Sequence, residues 1–258
     1  MTRPARLTEH EYFMLRPEQR EAYDREWAAW WQTPEGQAER AERDARERAR
    51  YEALLPAAIE HVLRDTDICS AIGLPPRAVD VVLSGRLTET PAVQAVRGAV
   101  DIVILAGGYG CGKTIAAVEW VREHVARPEN WKPTTDYNQK PHQTIPHFVG
   151  KRPLWTTAAA LARLDHFSEA ALKPYFTAHR LVVDDLGAEY LDAKGFFGSL
   201  FDELLDARYA GKLPTIITTN LDAAGFSARY GARVVDRLRE AGRFINCGNT
   251  SLRGRQST

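Results

Sequence analysis

The chain has 258 residues, 44% of them hydrophobic, with formal net charge +0 and a pI of about 7.1. That is enough apolar material to bury a sizeable core, which excludes disorder as the default, and the length fits one large α/β domain plus an appendage, or two small domains. The balanced charge says nothing in favour of nucleic acid, so any DNA contact must rest on local patches.

Lysine occurs only at Lys113, Lys132, Lys140, Lys151, Lys173, Lys194 and Lys212, so arginine carries most of the positive charge. That suits bidentate phosphate contact and can equally reflect genomic base composition. The cysteines, Cys69, Cys111 and Cys247, are odd in number, far apart and without a C-x-x-C. They read as a reducing cytosol with no disulfide framework and no zinc site. No run of about 18 apolar residues exists for a membrane span, and the charged N-terminus lacks the apolar core of a signal peptide. The expectation is a cytoplasmic protein with no membrane contact.

In chain order, residues 1–66 are predicted to be a helical N-terminal region, distinct from the rest. Tyr23, Trp27, Trp30 and Trp31 recur at helical spacing and give one helix an aromatic face, interrupted at Thr33–Pro34. That face is either core packing or a docking surface for a partner protein, since interfaces favour Trp and Tyr. Glu35 to Glu52 reads as a solvated helix with Glu39/Arg43, Glu42/Arg46 and Asp44/Arg48 as i,i+4 pairs. Leu54, Leu55, Ala58, Ile59 and Val62 form a further stripe, with Pro56 best placed in a first helical turn. Gly73–Leu74–Pro75–Pro76–Arg77 is a turn, followed by short amphipathic helices through Val96.

Ile102–Val103–Ile104–Leu105–Ala106 reads as a buried strand. It runs into Gly107–Gly108–Tyr109–Gly110–Cys111–Gly112–Lys113–Thr114, a complete G-x-x-x-x-G-K-T, and then into a helix with Ile115, Val118 and Val121 on one face. Strand, glycine loop and helix N-terminus together make an anion site, because successive backbone N–H groups point inward and the helix dipole adds positive charge. The pattern predicts ATP bound by residues 107–114, with Lys113 at the β/γ-phosphates and the Thr114 hydroxyl on Mg²⁺. Residues 127–147, rich in proline and polar residues, read as a loop unusually long for its place.

Leu181–Val182–Val183–Asp184–Asp185–Leu186–Gly187 is an apolar strand ending in two acids, a Walker B pattern. Asp184 is predicted to hold Mg²⁺, and Asp185 to polarise the attacking water as a base. Thr215–Ile216–Ile217–Thr218–Thr219–Asn220 is another buried strand, and its terminal Asn220 is either a turn residue or a group beside the γ-phosphate that orients the water. Arg229, Arg233 and Arg237 stand at i, i+4 and i+8, which on one helix is either a solvated face or an arginine offered to a neighbouring subunit's nucleotide.

Several separated stretches resemble the AAA+ ATPases that load replicative helicases, the DnaC/DnaI type, and the related IstB-type transposition ATPases. They are Gly73–Arg77, the glycine loop, Trp155–Leu161, Asp184–Gly187, Leu200–Tyr209, Pro214–Asn220, Arg229–Leu238 and Gly248–Arg253. The resemblance covers about residues 73–253. It implies a three-layer α/β P-loop fold with a parallel five-stranded sheet in the order 5-1-4-3-2, forming an ATPase domain over 67–258. It implies Asn220 as sensor 1, Arg237 as the arginine finger with Arg233 as runner-up, and a family position of unassigned role at Arg208. Asp185 stands where many AAA+ proteins have Glu, and with so few residues after Arg253 a full helical lid is not expected. The function implied is an ATP hydrolase acting in DNA replication as a helicase loader. Its partners would be a replicative DNA helicase, single-stranded DNA and, with ATP bound, further copies of itself. Two alternatives stay open: an IstB-like transposition ATPase, and a nucleotide-gated adaptor with little turnover.

Overall fold

The computed structural model describes residues 2–65, 73–136, 143–164, 168–189, 196–231, 234–236, 238 and 242–252. The chain divides into two compact units, Met1–Pro56 with Pro133–Pro146, and Ala57–Lys132 with His147–Thr258.

In the first unit, α1 (Glu9–Met14) starts at a reciprocal cap. Thr8 Oγ1 accepts from the Glu11 amide at 3.2 Å, and Glu11 Oε2 accepts from the Thr8 amide at 2.7 Å. Helix α2 (Pro17–Trp30) opens on a proline and carries the aromatic stripe. Tyr12, Tyr23, Trp27 and Trp31 form a ladder with ring centroids 5.8, 6.3 and 5.4 Å apart in turn. Trp30 is buried, while Phe13 and Met14 are exposed. Helix α3 (Pro34–Arg64) is continuous and holds Pro56 in its interior, not in a first turn as expected. A proline there forfeits one i→i−4 hydrogen bond, and the apolar stripe from Leu54 to Val62 continues the same helix. Of the three expected pairs, Arg46 bonds to Glu42. Glu39 is instead taken by Arg3 and Arg6, and Arg43 lies over the Trp31 ring.

In the second unit, α4 (Pro76–Leu83) and α5 (Pro91–Val96) lead to β1 (Ile102–Ala106) and α6 (Lys113–Val125). The long segment expected to be a loop instead holds a 3₁₀ turn (Pro128–Asn130) and the strands β2 (Trp131–Asp136) and β3 (Gln143–Phe148), which pair with each other and have most of their residues in the first unit. Trp131 stacks edge-on against Phe148 at 5.4 Å, an anchor that the proline content masked. Then come β4 (Leu154–Thr157), α7 (Ala158–Leu161), α8 (Glu169–Thr177), β5 (Leu181–Leu186), α9 (Phe196–Ala210), β6 (Thr215–Thr219), α10 (Ala223–Tyr230) and β7 (Gly242–Asn246).

Five strands form one parallel sheet in the order β4-β5-β6-β1-β7. With the β2–β3 ribbon set aside, that is 5-1-4-3-2, the expected topology. β1, β5 and β6 are near-continuous apolar runs because helices cover both faces of such a sheet. Ile104, Val183 and Ile217 pack with Phe197, Phe201 and Leu204 of α9 and Phe226 of α10. Arg208 is fully buried and acts as a structural pin. Its guanidinium donates to Thr215 Oγ1 at 2.6 Å and to the carbonyls of Pro214, Tyr175 and Ala178 at 2.9, 2.9 and 3.0 Å. It thereby ties the ends of α8 and α9 to the start of β6. Among the described residues, no helix is long and apolar enough to cross a membrane.

Candidate functional site

The register of the sheet assembles the site. Ala106 of β1 pairs with Thr219 of β6, and Thr219 with Leu186 of β5, so three strands end at one edge. Gly107, Asp184–Asp185 and Asn220 converge there.

The glycine loop turns through left-handed backbone at Gly110 (φ 80°) and Gly112 (φ 93°). A side chain at Gly107 would place Cβ 2.5 Å from the Gly248 carbonyl, so only glycine fits. The Gly107 and Gly108 amides donate to the Thr219 and Gly248 carbonyls at 3.2 and 3.0 Å, whereas the amides of residues 109–114 donate to no acceptor among the described residues outside the helix. These free donors at the start of α6 are what a phosphate group needs. Lys113 is buried, and its Nζ donates to the Gly107 and Gly108 carbonyls at 2.8 Å each and to Asn220 Oδ1 at 3.0 Å. Tyr109 is exposed and Cys111 is buried beneath the loop.

The two acids differ sharply in setting. Asp184 is buried, and its Oδ1 accepts from Thr218 Oγ1 at 2.6 Å and Thr114 Oγ1 at 3.1 Å. Burial is the largest influence and pushes its pKa up to about 6; the Asp185 charge adds to the rise, and the Thr218 and Thr114 hydroxyls oppose it. Asp185 is exposed, because the β5–β6 register shifts between Val183 and Leu186 and Asp185 adopts φ 56°. Such an irregularity re-aims a side chain out of the sheet. The Thr218 hydroxyl sits between the acids, accepting from the Asp185 amide at 2.9 Å.

Thr218 was not singled out from sequence, and neither was Glu189, whose side chain has no exposed surface. Its Oε2 accepts from the Gly187 amide at 2.6 Å. Its Oε1 accepts from Arg229 Nη2 at 2.9 Å and the Tyr230 hydroxyl at 2.6 Å. Burial and the Glu189 charge push the Tyr230 hydroxyl well above its ordinary range, which keeps it a donor. Glu189 thus ties the turn after Asp185 to the last turn of α10. A single acid after D-D-L-G-A was the available signal.

Arg229 closes α10 and is held by Glu189 in the same chain, and Gly231, at φ 90°, ends the helix. Arg233 and Arg237 lie outside the described residues, as do Cys69 and Arg253. The segment after β7 closes around the loop: the Leu252 amide donates to the Gly110 carbonyl at 2.9 Å, and Asn249 lies against Gly108. Gly248–Arg253 was noted only as a matching stretch, with no role.

The donor set suits Mg²⁺. Among the described residues no group of three or more His, Cys, Asp or Glu could enclose a metal. One carboxylate, one hydroxyl and oxygens from a bound phosphate are a combination that Mg²⁺ accepts.

No family model and no curated protein matches the sequence. Solved structures do. A protein of Streptococcus pyogenes serotype M3, assigned provisionally as a primosome component, is 18% identical, with a TM-score of 0.51 over 76% of this chain and 98% of that one. The DnaC helicase loader is 23% identical, with a TM-score of 0.42 over 68% of this chain and 89% of that one. The replication initiator DnaA, bound to AMPPCP and single-stranded DNA, is 15% identical, with a TM-score of 0.44 over 67% of this chain. This chain spans 50% of that DnaA chain. On its strand order and its likeness to the streptococcal structure, the chain has a three-layer α/β fold of the P-loop kind, with a parallel five-stranded sheet in the order 5-1-4-3-2.

Proposed function

We propose that this protein is an ATP-hydrolysing AAA+ ATPase of the DNA-replication machinery, of the helicase-loader kind. The observation that carries the reading is the convergence of residues far apart in sequence. Lys113 Nζ meets Asn220 Oδ1 at 3.0 Å, and Thr114 Oγ1 meets Asp184 Oδ1 at 3.1 Å, directly beside the free amides of the glycine loop.

In this reading the amides of residues 109–114 and the Lys113 ammonium bind the ATP phosphates, the ammonium leaving its carbonyl acceptors to do so. Thr114 and Asp184 hold Mg²⁺, which when bound neutralises charge on the β- and γ-phosphates. The exposed Asp185 carboxylate takes a proton from the attacking water, and Asn220 orients that water. Arg237 reaches the nucleotide of a neighbouring copy, so that ATP binding favours a homo-oligomer. Residues 67–258 form the ATPase domain, and the helical residues 1–66 dock a replicative helicase, with single-stranded DNA as the second partner. The cytoplasm is the proposed location.

The first test is an ATP titration in the presence of Mg²⁺. Lys113→Ala is expected to abolish binding or turnover. An unchanged affinity and rate in that variant would remove the site assignment.

A further inference from the structure

β5 has a second charged end. It finishes at Asp184–Leu186 and begins beside Arg180, whose side chain is almost wholly enclosed at 3% exposure. Its guanidinium carbon lies 4.5 Å over the Trp120 ring centroid, and its Nε is buried without a hydrogen-bond partner. No hydrogen bond or ion pair links the guanidinium to any described residue. Arg208 makes the contrast. It too is buried without a carboxylate, yet four acceptors satisfy its N–H groups. A buried Nε with no acceptor costs the desolvation of that donor, so the two arginines are held differently.

The neighbours of Arg180 are basic. Burial is the main cause of its lowered pKa, about 10, with the Arg127 charge adding to the effect and Glu123 opposing it. Burial first, then Lys151, Arg180 and Arg127, hold the half-buried His179 imidazole below its usual range. His124 lies 5.7 Å from His179 between ring centroids, and its Nε2 is 2.8 Å from the Lys151 carbonyl. Nε2 therefore donates, which leaves Nδ1 as a bare acceptor, buried and unpartnered. Lys151 is exposed and Arg127 and His179 are half-buried, so the cluster opens to solvent on that side.

We propose that Arg180, Arg127, Lys151 and His179 form a second anion site, at the end of the sheet opposite the glycine loop, that takes a phosphate-type oxyanion. A tetrahedral oxyanion offers several acceptors at once. It can take charge-assisted hydrogen bonds from a guanidinium and an ammonium together with one from an imidazole N–H. The same chemistry is presented by free phosphate and by a DNA backbone phosphate. The site stands independently of the ATPase reading, since none of its residues belongs to the nucleotide end.

The test uses the full chain. Its thermal midpoint is measured in sodium phosphate, in sodium chloride of equal ionic strength, and in chloride with a short oligodeoxythymidylate. The histidine ring protons are followed by NMR under the same conditions. Phosphate or the oligonucleotide is expected to raise the wild-type midpoint by about 2 °C or more and to shift the His179 ring signals. Arg180→Met should lose that increment while being no less stable than wild type in chloride. Phosphate held by the glycine loop would persist in Arg180→Met, and Lys113→Ala should keep the Arg180-dependent part. The exposed pair Arg127→Gln with Lys151→Gln tests the same site with no change to the buried arginine, and should halve the gain or better. An effect of the oligonucleotide at concentrations where phosphate has none identifies backbone phosphate as the ligand, and the reverse identifies the free anion. Equal gains in wild type and Arg180→Met, or no gain from either probe, would overturn the proposal.

Discussion

The two ends of the parallel sheet handle buried charge in opposite ways. At the carboxyl end the buried ionic groups among the described residues have partners: Lys113 has three oxygen acceptors, Asp184 two hydroxyls, and Glu189 an amide, an arginine and a phenol. At the amino end Arg208 is fully satisfied, while Arg180 and His124 Nδ1 are not. The lesson is that burial alone does not mark a working site. Partnered charges fix geometry, and unpartnered ones point to a missing counter-group.

The largest expected effect is on the satisfied arginine of the amino end. Arg208→Met leaves the carbonyls of Pro214, Tyr175 and Ala178 and the Thr215 hydroxyl without that donor, and is expected to cost about 3 kcal/mol or more in urea unfolding. If Arg208→Met is as stable as the parent, Arg208 is no more a pin than Arg180, and the contrast between them fails.

Next is the acid response of His124. Burial is the main cause that depresses its pKa to about 4 from an ordinary 6.5. The unfolded chain therefore binds more protons in that interval, so the group's contribution is complete above about pH 6.5 and is lost as pH falls towards 4. By about pH 5 the loss is roughly 2 kcal/mol. His124→Gln keeps a donor for the Lys151 carbonyl and should flatten the stability profile between these values; a profile as steep as the parent's would assign the acid response elsewhere.

The smallest effect sharpens the carboxyl end. Glu189→Gln keeps the volume but weakens the link from Gly187 to Arg229. Turnover is expected to fall about tenfold with ATP affinity unchanged. A folded variant with full turnover would make Glu189 a packing residue only.

Much of the carboxyl end was legible in the sequence. A glycine loop and a strand ending in two acids are local patterns, and the strand order that the resemblance implied brings Lys113, Thr114, Asp184 and Asn220 together. What was not legible depends on contacts across the sheet. Thr218 matters because of the acids on the neighbouring strand, and Glu189 because of Arg229 and Tyr230. Periodicity is also blind to Gly231, whose positive φ ends α10 directly after Tyr230. The β2–β3 ribbon was hidden by prolines, although Trp131 and Phe148 anchor it. Arg180 carried no signal at all, since a buried arginine before a strand is visible only when its partners can be checked.

The most direct test of the central claim separates ATP binding from ATP hydrolysis in Asp185→Asn. Asp184 and Thr114 remain in that variant, so ATP with Mg²⁺ should bind within about twofold of wild type, while turnover falls about a hundredfold or more. A variant that loses ATP affinity yet keeps its turnover per bound nucleotide would contradict the division of labour between the two acids, and with it the reading of this edge of the sheet as a hydrolytic site.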